Sequence, residues 1–154
     1  MLEKIVSGGQ TGADIAGVDA AIFCRFPYGG WLPQGRKSEK GLVPEKYNQF
    51  QVMARGGYPK RTEQNVIESD GTVIFTFGKL SGGSLLTKKL AVKNNKPWLH
   101  IDLDMIKNPS AKIIDWLIEW DIKRLNVAGK SASKAPGIYK QVKAIMTDIL
   151  QQEY

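Results

Sequence analysis

The chain has 154 residues, 42% hydrophobic and 24% charged, with a formal net charge of +7. Domains commonly hold about 100–200 residues, so this length predicts one domain spanning 1–154, with enough apolar side chain for a real core. A single cysteine, Cys24, excludes an internal disulfide, and a single histidine, His100, leaves too few ligands for a zinc site of His and Cys.

Met1–Lys4 leads straight into strand-like sequence without a signal-peptide pattern, and no apolar run approaches the roughly 18 residues of a membrane helix. These features predict a cytoplasmic protein with no membrane partner. Lys4-Ile5-Val6-Ser7 is a short apolar run stopped by Gly8-Gly9, which reads as a buried strand and a turn. Ala13 to about Phe23 is small and apolar and suits a helix packed closely on a sheet. Gly17 would cost that helix up to about 1 kcal/mol relative to alanine, which points to a close backbone approach there. Tyr28–Leu32 reads as a second strand. Pro33–Lys60 is rich in turn formers, and a stretch this long inside a domain is expected to hold short elements or function.

Arg61–Ser69 reads as a helix ended by Asp70-Gly71. Thr72–Phe77 is β-branched and aromatic throughout, the composition of a central strand. The turn Leu80–Ser84 follows, then a helix up to Asn94-Asn95, and a strand over Pro97–Ile101. Asn108-Pro109-Ser110 opens a helix carrying Trp116 and Trp120, which suit either core packing or a homo-oligomer interface. Leu125–Ala128 is the last strand. Pro136 suits the first turn of a final helix with Ile138, Val142, Ile145, Met146, Ile149 and Leu150 on one stripe. The alternation predicts an α/β fold: a doubly wound, mostly parallel sheet of five or six strands with helices on both faces.

In such a sheet, ligands sit outside the carboxyl ends of the strands. Three loops rich in Gly, Ser or Thr fall at that edge: Ser7–Asp14, Ser81–Ser84 and Gly129–Gly137. Glycine permits close backbone approach, and helix N-terminal amides favour an anion. Gly8, Gly9, Gln10, Thr11, Gly12, Gly82, Gly83, Ser84, Gly129, Ser131 and Ser133 are therefore candidate ligand-binding residues. The first loop lacks the Gly-Lys-Ser/Thr ending of a P-loop, and its GGxxG spacing is not the GxGxxG of dinucleotide sites. Between Arg25 and Arg61 there are eight basic residues against two acidic ones. A positive field there attracts phosphorylated molecules, nucleic acid or an oxyanion. Arg36, Arg55 and Arg61 are candidate bidentate clamps, and Asn65, one turn beyond Arg61, is placed to join it. Two roles fit Asp14: a local cap in the first helical turn, or a contact to a ligand hydroxyl, amine or metal. It is the one candidate for a catalytic residue.

Ile5–Asp14, with its Gly-Gly-Gln-Thr-Gly-Ala-Asp stretch, resembles the opening of the putative molybdenum carrier family. That family is regarded as a circularly permuted branch of the SLOG superfamily, related to the lysine-decarboxylase-like phosphoribohydrolases. Further matches are Gly30–Pro33 with Gly35-Arg36, Arg61-Thr62 with Asn65, Ser81–Ser84, and Asn126–Gly129 with Ser133 and Ala135–Ile138. The resemblance implies a Rossmann-like fold and a nucleotide-like or oxyanion-like ligand, with molybdenum cofactor or molybdate as the ligand implied by the carrier label. The related hydrolases carry a glutamate shortly after their Gly-Gly-Thr loop, whereas Gly82-Gly83-Ser84 is followed by Leu85-Leu86-Thr87-Lys88-Lys89 with no acid.

The favoured function is binding of a phosphorylated or oxyanionic small molecule. The alternative is an enzyme cleaving an N-glycosidic bond in a nucleotide, with Asp14 as general acid or base and Arg36 or Arg61 on the phosphate. A nucleic-acid-associated module ranks lowest, because no helix-turn-helix or RNA-binding signature is present.

Overall fold

In the computed structural model, which describes residues 1–154, the chain opens with β1 (Lys4–Ser7), α1 (Ala13–Phe23) and β2 (Tyr28–Gly29). Four short strands follow, β3 (Trp31–Leu32), β4 (Lys37–Ser38), β5 (Gly41–Leu42) and β6 (Gln51–Val52). Then come α2 (Tyr58–Glu68), β7 (Gly71–Thr76), α3 (Gly82–Lys93), β8 (Trp98–Asp102), α4 (Pro109–Glu119), β9 (Arg124–Gly129) and α5 (Ile138–Gln151). The main sheet has five strands in the order β2–β1–β9–β7–β8, and every pairing is parallel. This is the Rossmann-like α/β arrangement that the alternation of strand and helix predicts. The last strand in sequence lies at its centre, between the first strand and β7.

The expected Tyr28–Leu32 strand is two strands. Gly30 breaks it with a φ of +125°, at a point where a Cβ would stand 2.3 Å from the Ser7 carbonyl oxygen. Only glycine fits such a turn against β1. Beyond it, β3 leaves the main sheet and pairs with β6, while β4 and β5 form a small antiparallel hairpin. The long turn-rich stretch therefore holds three short strands and a 3₁₀ turn over Gln34–Arg36. Helix α2 starts at Tyr58, earlier than Arg61, because Pro59 is accommodated in its first turn. Pro136 lies outside α5: Gly137, at φ +88°, intervenes before the helix begins at Ile138.

Strand alternation divides the sheet into two unlike faces. Ile5, Val73, Phe75, Ile101, Leu125 and Val127 pack with α1, α4 and α5 into the main hydrophobic core. Trp116 belongs to that core, whereas Trp120 is 54% exposed. The alternate positions Thr72, Thr76 and Asn126 are buried and polar, and Asn126 Nδ2 donates to Thr72 Oγ1 at 3.2 Å. This second face meets α2 and α3, whose buried residues are Arg61, Asn65 and Val66 on one helix and Ser84, Thr87 and Ala91 on the other.

Gly17 supplies the close approach of α1 to β9: a Cβ there would lie 2.8 Å from the Cβ of Val127. Gly17→Ala gains up to about 1 kcal/mol of helix propensity but overpacks a rigid β-branched neighbour, at about 1–3 kcal/mol. Urea unfolding should show a net destabilisation, and an unchanged or higher midpoint would refute the packing role.

Candidate anion-binding site

The loops after β1, β7 and β9 meet above the carboxyl ends of their strands. A cavity of about 310 Å³ opens between them on the α2 and α3 side. Its floor is Asn126, Ala128 and Gly129 of β9. Its walls carry Gly8, Gln10 and Asp14 from the first loop and α1, Arg61 and Asn65 from α2, Gly83 and Ser84 from α3, and Lys130, Ser131 and Lys134 from the loop after β9.

Arg61 is the central cation. It is 7% exposed, and its Nη1 donates to Asp14 Oδ2 at 3.0 Å. Its guanidinium passes directly over Gly8, where a Cβ would stand 1.7 Å from Nη1. Any side chain at position 8 would displace it, so this approach requires the glycine there. The Arg61 Nε is buried without a hydrogen-bond partner, and buried polar atoms are seldom left so without a cause.

Asp14 is also buried. Burial pushes its carboxyl above the usual carboxylate range, while Arg61 and the amides of Gln10 and Gly129 pull it back. Desolvation outweighs these contacts, so the carboxyl titrates above the usual carboxylate range. The Asp14 side chain does not cap α1: its carboxyl accepts from the Gln10 amide of the preceding loop and from Arg61, and so fixes Arg61 within the cavity.

Two lysines add positive charge. Lys130 Nζ donates to the Ser81 carbonyl at 2.7 Å and to Ser81 Oγ at 2.6 Å, which brings its ammonium to the start of α3. Burial, then the proximity of Lys134, lowers its proton affinity. Lys134 reaches the same place, since a Cβ on Gly82 would lie 3.7 Å from its Nζ. The amino end of a twelve-residue helix, itself partly positive, therefore faces two ammonium groups.

The structure places other sequence candidates in supporting positions. Arg36 does not reach the cavity. Its guanidinium donates to the carbonyls of Val43, Pro44 and Tyr47 and holds the base of the β4–β5 segment. Asn65 lines the cavity, but its amide brackets the Trp31 backbone, accepting from Trp31 N at 2.7 Å and donating to Trp31 O at 3.0 Å. Ser84 Oγ donates to the Ser81 carbonyl and accepts from the Ser81 amide, so it caps α3. Thr11 and Ser133 both donate to Glu39. Gly9 and Gly12 border a second cavity of about 480 Å³ that also involves Tyr47 and Tyr139. The hydroxyls of both tyrosines donate to Asp19.

Sequence reasoning missed Glu39, Lys130 and Lys134 as members of the site. The two lysines carry a readable signal, since they flank Ser131 and Ser133 in a loop already placed at the ligand edge. Glu39 carries none, because its partners lie 28 and 94 positions away. No group of three or more His, Cys, Asp or Glu side chains is arranged to hold a metal ion. No helix is long and apolar enough to cross a membrane.

No curated protein matches the chain. It is similar to the crystal structure of a putative molybdenum carrier protein from Syntrophus aciditrophicus SB, with 48% sequence identity and a TM-score of 0.91 over 98% of this chain and 96% of that one. The family model described as the circularly permutated YpsA SLOG family matches residues 5–150. The permuted Rossmann-like sheet and the three loops gathered at its edge are thus features of a chain that belongs to the circularly permuted YpsA SLOG family.

Proposed function

We propose that the cavity between α2 and α3 binds a small molecule through a phosphate or similar oxyanion. The observation that carries this reading is buried Arg61, with an unpartnered Nε, beside Lys130, Lys134 and the amino end of α3. A planar guanidinium with a free donor, two ammonium groups and helix amides make a donor set for an oxyanion.

The name of the Syntrophus protein suggests a molybdenum-related ligand, and the residues fit one of a particular kind. They offer hydrogen-bond donors and positive charge, so molybdenum would be held through its oxygens or through a phosphate on an organic carrier. A cavity of about 310 Å³ is roughly ten times the ~30 Å³ share of a water molecule in the liquid. One tetrahedral oxyanion leaves much of it empty, which favours an organic phosphate, molybdenum cofactor among them, over bare molybdate. A second reading rests on Asp14. A buried carboxyl whose titration is raised by desolvation, beside an arginine, is a candidate general acid or base for a bound nucleotide.

Calorimetry with inorganic phosphate, pyrophosphate, molybdate and nucleoside monophosphates tests the binding reading, and release of free base from the monophosphates tests the enzymatic one. Arg61→Met should weaken phosphate binding about tenfold or more, since hydrogen bonds to a charged group contribute about 1.5–3 kcal/mol. Equal binding by the variant would remove Arg61 from the site.

Asp14 gives a pH test with a definite sign. Its carboxylate partly offsets Arg61, and burial raises its titration above the usual range. As pH falls from neutrality toward that titration, Asp14 takes up its proton and stops competing for the guanidinium. Affinity for sulfate, whose charge stays constant there, should rise in the wild type. It should be higher at neutral pH and nearly flat with pH in Asp14→Asn. A fall in sulfate affinity on acidification would contradict this arrangement.

A further inference from the structure

Glu39 stands at the turn of the β4–β5 hairpin, yet its carboxylate is firmly held. It accepts from Thr11 Oγ1, from Ser133 Oγ at 2.5 Å and from the Ser133 amide at 3.1 Å. Its own amide donates to Gln10 Oε1 at 3.0 Å. These bonds, the Ser133 hydroxyl first, hold the carboxyl down at about 2, so it is a full anion at neutral pH. Two hydroxyls and an amide converging on one carboxylate form an oxyanion receptor. Glu39, Arg61, Lys130 and Lys134 all line the same cavity.

The hairpin has little else to keep it down. It has two residue pairs in register, and Lys37, Glu39, Lys40, Gly41 and Leu42 are all exposed. Its base is secured separately by Arg36 on the carbonyls of Val43, Pro44 and Tyr47. A fixed base and a tip held through one carboxylate and one amide are the parts of a strap.

Building on the anion-site reading above, we infer that Thr11 and Ser133 form an oxyanion subsite that Glu39 fills from within, and that an anionic group of the incoming ligand displaces Glu39 and frees the β4–β5 hairpin. Glu39 makes no bond to Arg61, whose Nε is buried without a partner, so displacing Glu39 leaves the Arg61 contacts intact. A carboxylate on a short tether presents an effective concentration on the order of millimolar. A dianionic phosphate competes against it with the added attraction of Arg61 and the two lysines. One acceptor leaves as another arrives, so the Thr11 and Ser133 donors keep a partner throughout.

Phosphate and pyrophosphate titrations of the full-length wild type, Glu39→Gln and Glu39→Ala, with hydrogen exchange across residues 37–42, test this inference. Glu39→Ala should bind phosphate about tenfold more tightly, with Glu39→Gln between. Exchange at the hairpin of the wild type should rise at saturating phosphate to the level of unliganded Glu39→Ala. Unchanged affinity with unchanged hairpin exchange overturns the strap alone and leaves the anion site standing. Weaker binding by Glu39→Ala also overturns it, because Glu39 would then assist the ligand. Failure of all three proteins to bind either anion overturns the strap together with the anion-site reading.

Discussion

The arrangement of the molecule depends on the contact between Asp14 and Arg61 at 3.0 Å. Asp14 belongs to the helix layer on one side of the sheet and Arg61 to the layer on the other. Their side chains meet over the end of β1, where Gly8 leaves room for them. Taking both groups out of water costs several kcal/mol per ion, so such a pair is weak evidence for stability. Its consequence here is positional: a guanidinium charge is held where three loops converge, stacked over the Tyr58 ring at 5.5 Å.

Chain order and sheet order diverge in a way that serves this contact. Because β9 lies between β1 and β7, loops from opposite ends of the sequence become neighbours. The Ala13 amide donates to the Lys130 carbonyl at 3.1 Å, and the Ala132 amide donates to Thr11 Oγ1 at 3.2 Å. Neither loop forms a phosphate fingerprint alone. The cationic wall is assembled from Arg61 near the middle of the chain and from two lysines more than sixty positions later.

The fold was largely legible because local chemistry repeats: short apolar runs stop at glycine, and small or amphipathic helices follow. The break at Gly30 was not legible, since it arises from the Ser7 carbonyl of a neighbouring strand. The loops of the site were legible as glycine and hydroxyl clusters at helix starts. Which arginine enters the cavity was not, because Arg36 and Arg61 look alike in sequence and differ only in what lies beside them. Arg36 finds three carbonyls within its own loop, whereas Arg61 finds a carboxylate 47 positions away. Glu39 was hidden for the same reason, an acidic residue in a basic segment whose partners are supplied by tertiary structure.

The two faces of the sheet differ in what binds them to their helices. The main hydrophobic core draws no residue from α2 or α3, and the residues those helices bury are Arg61, Asn65 and Val66 on one and Ser84, Thr87 and Ala91 on the other. A layer joined by polar contacts has a smaller opening free energy than one joined by apolar area. Helices α2 and α3 are therefore expected to open from the sheet at a lower free energy than the α1, α4 and α5 side. A molecule seated between them would act as mortar in that layer, lending it cohesion that the sequence itself supplies only sparingly.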